Sequence, residues 1–417
     1  MLYAVGAVAF ALILVASVCL HEAGHMLTAK AFGMSVTRYF VGFGRTVFSF
    51  RRGETEYGLK AVPAGGFVTI VGMNPDDLED GGAAQAQGRA FWQFPVWKRS
   101  IVLAAGSVTH VLLALVLLLV ALVGFGLPKT KGTDQSSATL GSIQACVYDT
   151  DTSGAGRACR PGDPRSPAAA AGLQAGDRIV RLGDRDVPTY DAFSRALRTS
   201  PVGTPVPVTY VRAGQTRTTT VTLVSTLKPD LGAAKGSPTH PTPTIGVTAS
   251  LESYTQHFGV VDGAGQTVSL TGQMLAASVT SLGALPSRIP ALFRSLSGGE
   301  RSLDDPVSVV GATRIGGELA ADQGTGGIGS FLAILASLNV FLGLFNLLPL
   351  PPLDGGHLAI TWFEKARSLI ASRRGRPEPG MVDRNRLVPV TLAVLVVFGA
   401  FTLLTVSADI VNPIRLG

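Results

Sequence analysis

His21, Glu22 and His25 stand in the order His-Glu-x-x-His, and these residue types at this spacing suit metal-assisted hydrolysis. On a helix, positions i and i+4 lie on one face, so both imidazoles can bind one zinc ion. The carboxylate of Glu22 then projects beside the metal, where it can take a proton from water. The motif closes an almost wholly apolar run from Leu2 to Leu20, and burying such groups at membrane depth without a purpose is costly. We therefore interpret these residues as a catalytic zinc site.

A catalytic zinc ion needs a third protein ligand and keeps its fourth position open. The candidate is Asp354, which follows a second apolar run, from Phe331 to Leu350. Prolines crowd the residues just before it, so a helix cannot continue and the backbone must open ahead of the acid. Two polar breaks at membrane depth, each with a metal-binding residue type, favour one shared site. A solvated aspartate in a helix-stopping turn is the alternative.

The segments HEAGH and NLLPLPPLDGG resemble the paired signatures of the site-2 protease family of intramembrane zinc metalloproteases, and the bacterial regulator-of-sigma-E type is the most similar. The likeness extends over most of the chain. It implies that His21, His25 and Asp354 are zinc ligands. It also implies that Glu22 is the catalytic residue and that Asn346 helps to hold the substrate or the transition state.

Two features depart from the family pattern. The second apolar run reads AGSVTH over 105–110, where relatives commonly have Gly-Pro and an asparagine. Asn339 lies seven residues before Asn346, a longer spacing than is familiar. The roles of His110, Asn339 and His357 therefore stay open: His110 is either a group that supports the metal ligands or a hydrogen-bonded helix-packing residue.

Composition is typical of a polytopic membrane protein with soluble portions, since hydrophobic residues make up 46% of the chain and charged residues 15%. The segments 2–24, 101–124, 329–350 and 387–408 are long and apolar enough to cross a bilayer. We therefore predict an α-helical polytopic membrane protein with about four transmembrane helices. Its predicted parts are the first two spans with HEAGH and an inner β loop (1–128), an extracytoplasmic domain (136–228), a linker with amphipathic helices on the outer membrane face (229–328), and the last two spans (329–417).

Basic residues near the span ends predict the orientation in the cell membrane. They follow the first span, precede the second and fill the connection between the third and fourth: Lys30, Arg38, Arg45, Arg89, Lys98, Arg99 and several within 365–386. This pattern places both termini and the large 128–328 region outside, with the active site towards the cytoplasm. The net charge of +7 is read as the same topology signal, so we expect membrane lipid but no nucleic acid as a partner.

The inner loop contains two short alternating runs, Thr46–Phe50 and Glu56–Val62, which predict a membrane-associated β-hairpin. In the resembling family such a sheet offers an edge to an extended substrate. The physical reason is that a transmembrane helix must unwind before hydrolysis, and pairing with a free strand replaces its lost hydrogen bonds. An ordinary surface hairpin is the alternative.

The 136–228 region has the pattern of a small α+β domain. Residues 171–180 followed by 190–197 resemble a strand and helix of a PDZ domain, and both peptide binding and steric filtering of substrates stay open. In an oxidising extracytoplasmic compartment Cys146 and Cys159 are expected to form a disulfide, with two free thiols as the alternative.

Three functions are compatible with these observations. The first is an intramembrane zinc endopeptidase that cleaves single-span membrane proteins, and the resemblance implies a trimmed anti-sigma factor in regulated intramembrane proteolysis. The second is an inactive membrane scaffold that binds envelope proteins through the PDZ-like domain. The third is a transporter, which would usually show more spans and internal repeats. The scaffold is disfavoured because an inactive protein would be free to lose Glu22.

Overall fold

The structure, a computed structural model, describes residues 2–73, 88–149, 159–228, 238–296, 305–321, 325–377, 379–380, 382 and 384–414. Within these residues the chain folds as two units. One comprises residues 1–127 together with 256–417, and the other comprises residues 128–255.

The first two predicted spans form helices α1 (Leu2–Ala31) and α2 (Val96–Val120). Both are rich in apolar residues on every face, as expected of helices whose surroundings are lipid or protein rather than water. A π-helical turn, Ala121–Phe125, continues α2. The catalytic-type motif thus lies on the last turns of a regular α1, with its side chains on a helix as predicted.

The predicted hairpin is present and longer than expected. Strands β1 (Val36–Arg52) and β2 (Thr55–Ile70) pair antiparallel, and both predicted runs lie inside them. Residues 38–41 of β1 have partners on both sides, in 56–59 and in 66–69 of β2, so three strand segments lie side by side in this part of the hairpin. The hydroxyl of Tyr39 donates to the carbonyl of Cys19 at 2.8 Å, which attaches the hairpin to α1.

The second unit is built around a four-stranded antiparallel sheet, in the order β6 (Arg185–Asp186), β5 (Arg178–Leu182), β7 (Pro205–Arg212) and β8 (Gln215–Thr222). Its buried core includes Ile179, Phe193, Val208 and Leu223. The elements in chain order are β3 (Leu127–Thr130), β4 (Leu140–Ile143), α3 (Pro167–Ala170), β5 (Arg178–Leu182), β6 (Arg185–Asp186), α4 (Tyr190–Arg198), β7 (Pro205–Arg212), β8 (Gln215–Thr222), β9 (Val224–Lys228), β10 (His240–Thr244), β11 (Val247–Ala249) and β12 (Ser253–Gln256).

This unit extends beyond the predicted 136–228 boundaries because the chain returns to it after β9. Strand β10 pairs with β9, and β11 pairs with β4, so segments distant in sequence complete the fold. Residues 229–237 of the predicted linker lie outside the described residues. Cys146 and Cys159, the pair expected to form a disulfide, are bonded to each other.

The C-terminal part contains α5 (Val260–Leu296), α6 (Val309–Ala321), α7 (Thr325–Asn346), α8 (Asp354–Arg373) and α9 (Val388–Val411). The last two predicted spans fall in α7 and α9. Among the described residues, five helices rather than four have the length and composition to cross a membrane, and α5 is the additional one.

The sequence pattern of α5 predicted a helix lying on the outer membrane face. Its most apolar window has a mean hydropathy of 1.3, compared with 2.5 for α1. Gly263, Thr267 and Thr271 on that face are buried against protein. The expected number of about four spans is therefore not confirmed.

Candidate metal centre

The His-Glu-x-x-His motif lies where α1 and α2 touch. A Cβ atom on Gly24 would come within 2.5 Å of the Thr109 hydroxyl oxygen and 2.9 Å of the Ala105 carbonyl, so no larger residue fits this contact. One position further along α2, a Cβ on Gly106 would lie 2.4 Å from both His21 Cε1 and His25 Nε2. The two imidazoles thus rest directly on the backbone of α2, and they are only 6% and 4% exposed.

Asp354 reaches the same place from α8. The backbone turns between α7 and α8, and Asp354 begins α8 with its carboxylate in the first turn. Gly355 and Gly356 allow the turn, since a Cβ on either residue would come within 2.7 Å of backbone atoms of the Leu347–Pro351 segment. The predicted opening of the helix before the acid is confirmed.

Three atoms that can bind a metal converge at this site. Nε2 of His21 and Nε2 of His25 are 3.1 Å apart, and each lies 3.2 Å from Oδ2 of Asp354. Tetrahedral zinc with ligands at about 2.0–2.2 Å requires ligand-to-ligand distances of about 3.3 Å. Within the described residues this is the only group of three such side chains that could hold a metal.

The donor set also fits zinc chemically. Each of the three facing atoms offers a lone pair, so without a cation or added protons they would repel one another in a poorly hydrated setting. Two nitrogens and one carboxylate oxygen are ligands that catalytic zinc uses, and a three-ligand set leaves one coordination position for the reaction. The geometry therefore fits the zinc ion predicted from the motif.

The orientation of His25 is fixed by a hydrogen bond. Its Nδ1 lies 2.7 Å from the carbonyl oxygen of Val102 on α2, so Nδ1–H donates and Nε2 keeps its lone pair. Sequence reasoning missed this contact, because the partner is a backbone carbonyl whose identity carries no signal. It also missed Gly106, whose need to be small is visible only once α1 and α2 are packed.

Behind His21 lies a second polar layer. The ring of His110 on α2 is 4.9 Å from the ring of His21, measured between centroids. Nδ1 of His110 is 2.8 Å from Oδ1 of Asn339 on α7, and both residues are buried. The structure thus brings together His110 and Asn339, two of the three residues whose roles the sequence left open.

Glu22 lies between the histidines and the hairpin. The backbone amide of Val68 on β2 interacts with its carboxylate, and a Cβ on Gly66 would come within 3.3 Å of Glu22 Cγ. The hairpin therefore passes directly beside the candidate proton-transfer group. This places a strand edge near the position where the sequence predicted that a substrate would bind.

The remaining predicted residues lie around this centre. Asn346 is the last residue of α7 and is half-buried, directly before the turn that leads to Asp354. His357 lies in the first turn of α8, and it does not belong to the group of three convergent ligands. Cys146 and Cys159 belong to the second unit, where their role is structural.

A buried histidine-histidine-carboxylate centre among long apolar helices, with an adjacent glutamate, is the arrangement of a membrane-embedded metallopeptidase. Comparison with known proteins agrees: the chain belongs to peptidase family M50, whose model matches residues 9–377. The predicted site-2 protease resemblance, the enzyme class of zinc metalloendopeptidase and the zinc cofactor are confirmed.

The chain is similar over its whole length to relatives named as zinc metalloproteases. It is 40% identical to zinc metalloprotease Rip1 of Mycobacterium tuberculosis over 419 residues, which covers 100% of both chains. It is 38% identical to zinc metalloprotease Rip1 of Mycolicibacterium smegmatis, again over 100% of both chains. A putative zinc metalloprotease of a Nostoc species is 26% identical and covers 97% of this chain and 96% of its own. Together with the long apolar helices, these matches identify a membrane protein and an intramembrane protease.

Proposed function

We propose that His21, His25 and Asp354 hold the catalytic zinc ion and that Glu22 transfers the protons of peptide hydrolysis. The single observation that carries this proposal is the convergence of the three ligand atoms, at 3.1 to 3.2 Å from one another, in a buried site. Each ligand comes from a helix end or helix turn that packing holds in place, so little rearrangement is needed to bind the metal.

In the proposed mechanism, zinc when bound lowers the pKa of the attacking water and polarises the scissile carbonyl. A carboxylate oxygen of Glu22 takes a proton from that water molecule while the oxygen of the water attacks the carbonyl carbon. Glu22 then delivers this proton to the nitrogen of the leaving amine as the C–N bond breaks. Glu22 lies beside Gly66 of β2, so its carboxylate is close to the strand where an extended substrate would lie.

The substrates that suit this site are single-span membrane proteins. A site among apolar helices meets only peptide bonds within or beside the membrane, and such bonds must leave their helix before hydrolysis. The edge of the β1–β2 hairpin, which passes beside Glu22, would accept the unwound segment by strand addition. Asn346, at the end of α7, is proposed to hold the substrate or the transition state.

The second unit is proposed to lie outside the cytoplasm as a PDZ-like domain that excludes substrates with large outer domains. A disulfide between Cys146 and Cys159 suits an oxidising compartment. The basic residues near the predicted span ends suit loops on the cytoplasmic side of the membrane, opposite to the proposed side of the second unit. On this account, an anti-sigma factor becomes a substrate only after another protease has trimmed its outer part.

A series of substrates with one transmembrane segment and outer domains of increasing size tests this proposal in proteoliposomes. We expect the full-length enzyme to cleave the smallest members and to fail above a threshold size, while Glu22→Ala cleaves none. Equal cleavage of all sizes would refute the size filter. Equal product with wild type and Glu22→Ala would refute the role of Glu22, and no product from wild type with any substrate would favour the membrane scaffold.

The proposed orientation needs a separate measurement. Single cysteines at Thr218 in the second unit and at Arg374 after α8, in a background without Cys19, should react differently with a membrane-impermeant thiol reagent applied to intact cells. We expect labelling at position 218 only. Labelling at position 374 only would reverse the orientation.

A further inference from the structure

The two histidines of the centre are held in different ways. Nδ1 of His25 donates to the carbonyl of Val102, which fixes both the plane of its ring and the nitrogen that faces the metal. Among the described residues, Nδ1 of His21 has no hydrogen-bond partner, although the residue is only 6% exposed. Histidines that bind metals almost always donate their second ring N–H to an acceptor, because this fixes their tautomer and orientation. An acceptor for His21 is therefore expected nearby.

The His110–Asn339 pair has the chemistry of that acceptor. Nδ2 of Asn339 donates to the carbonyl of Leu335 at 2.8 Å, so its Oδ1 is the atom that faces His110. An oxygen can only accept, so Nδ1 of His110 must carry the hydrogen and donate at 2.8 Å. A neutral His110 ring then has its lone pair on Nε2. Asn339 thereby makes His110 an acceptor at its other nitrogen.

Packing brings this acceptor to His21. The rings of His21 and His110 lie 4.9 Å apart between centroids and are tilted by 40°. Helix α7 approaches α2 closely here, because a Cβ on Gly343 would come within 3.0 Å of the Ser107 carbonyl and 3.1 Å of His110 Cβ. His110 and Asn339 are 2% and 0% exposed, so neither pairs with bulk water. A buried polar pair at this depth is costly unless it serves a neighbour.

We propose that His110 is a positioning residue: in the zinc-bound protein its Nε2 accepts the hydrogen of His21 Nδ1, directly or through one water molecule, and Asn339 sets the tautomer that makes this possible. The inference rests on the proposed role of His21 as a zinc ligand, because binding through Nε2 leaves the proton on Nδ1. His110 itself touches neither substrate nor metal. Its effect is to hold the His21 ring so that Nε2 faces His25 and Asp354.

The test compares zinc affinity and the visible spectrum of the cobalt-substituted protein in full-length variants. His110→Phe keeps a ring for packing but removes the acceptor, and Asn339→Leu removes the group that sets the tautomer. Loss of such an outer contact typically weakens metal binding by about 10–100-fold. We expect a loss of this order for His110→Phe, a smaller loss for Asn339→Leu, and a changed cobalt absorption spectrum in both. The matched control is Thr271→Val, a buried position whose hydroxyl bonds only its own helix at Thr267.

Two results separate this inference from the proposed function. His21→Ala should lose zinc altogether, and stoichiometric zinc in that variant would remove the premise that His21 is a ligand. If His21→Ala loses zinc while His110→Phe or Asn339→Leu binds zinc and cobalt as wild type does, the role assigned to His110 is wrong and the zinc site stands. Should His110→Phe not fold, Asn339→Leu decides alone.

Discussion

Two aspartates with inaccessible carboxylate oxygens, one in each unit, have opposite surroundings. Asp177 in the second unit is fully buried, and its carboxylate accepts from Nε of Arg212 at 2.6 Å and from the Gln174 amide at 2.8 Å. Among the described residues, Oδ2 of Asp354 has no such donor. Its near neighbours are Nε2 of His21 and Nε2 of His25, the atoms whose lone pairs would bind the metal. A buried acid surrounded by donors stabilises a fold, whereas a buried acid that faces other acceptors indicates a cation site.

The largest effect is expected at the group that moves protons beside the metal. Glu22→Gln keeps the size of the side chain but cannot take the proton from water, so turnover should fall by about 10²–10⁴-fold. Zinc content should stay at the wild-type level, because Glu22 is not one of the three convergent ligands. Cleavage assays in proteoliposomes, together with metal analysis, check both parts. Near-normal cleavage would assign proton transfer to another residue.

The comparison also shows what the sequence could predict. The HEAGH spacing requires only helical periodicity, so it predicts the placement of both histidines and Glu22 without any knowledge of how the helices pack. Asp354 was found from its apolar and proline-rich surroundings, since those alone require a backbone opening. The Val102 carbonyl, Gly106 and the contact of His110 with Asn339 depend on how α1, α2 and α7 cross. No local pattern carries that information.

The fold shows the same division. Long apolar helices were predictable because a segment that crosses a membrane must satisfy its backbone hydrogen-bonding groups within itself. The true extent of the second unit was not, because β10 and β11 pair with strands far away in sequence. The outer-face prediction for α5 relied on helix-like apolar spacing with few charges, a pattern that a helix long enough to cross the membrane also shows.

The second prediction concerns Asp177, the aspartate whose hydrogen bonds stabilise the second unit. Arg212→Met leaves the Asp177 charge buried and without its main partner, so the second unit should unfold at a clearly lower urea concentration. Pulse proteolysis of the full-length protein in urea measures this through the midpoint at which fragments of residues 128–255 appear. Arg181→Met is the matched control, since it removes an exposed ion pair of the same unit, the one with Asp186. An equal effect of the two variants would contradict a special role for the Asp177–Arg212 pair.

The third prediction concerns the contact between α2 and the two imidazoles. Gly106→Ala places a methyl group 2.4 Å from both imidazoles, so the rings or the helices must shift. Overpacking of this kind costs about 1–3 kcal/mol, and here we expect it as weaker zinc binding. Gly124→Ala on the turn that continues α2 is the control, because nothing lies within 4 Å of its added carbon. Zinc titration against a chelator should separate the two, and indistinguishable affinities would show that the rings do not need this contact.

The fourth and smallest effect is a pH dependence of the second unit. Burial by itself would raise the pKa of Asp177, but hydrogen bonds and charge from Arg212 outweigh it, so the pKa lies below its ordinary value of 3.8. The folded state therefore binds this proton less readily than the unfolded state. The stabilisation is complete above about pH 4 and is lost as the pH falls through the lowered pKa. Pulse proteolysis with an acid-active protease should show this decline in wild type and a weaker one in Asp177→Asn.

Zinc content of two matched alanine variants tests whether Asp354 is a zinc ligand. Asp177→Ala and Asp354→Ala each remove one carboxylate with an inaccessible oxygen, so a general effect of losing an acid would appear in both. We predict about one zinc ion per chain in wild type and in Asp177→Ala, and none in Asp354→Ala, with the second unit of Asp354→Ala still resistant to proteolysis. Full zinc occupancy in Asp354→Ala would contradict the proposed centre.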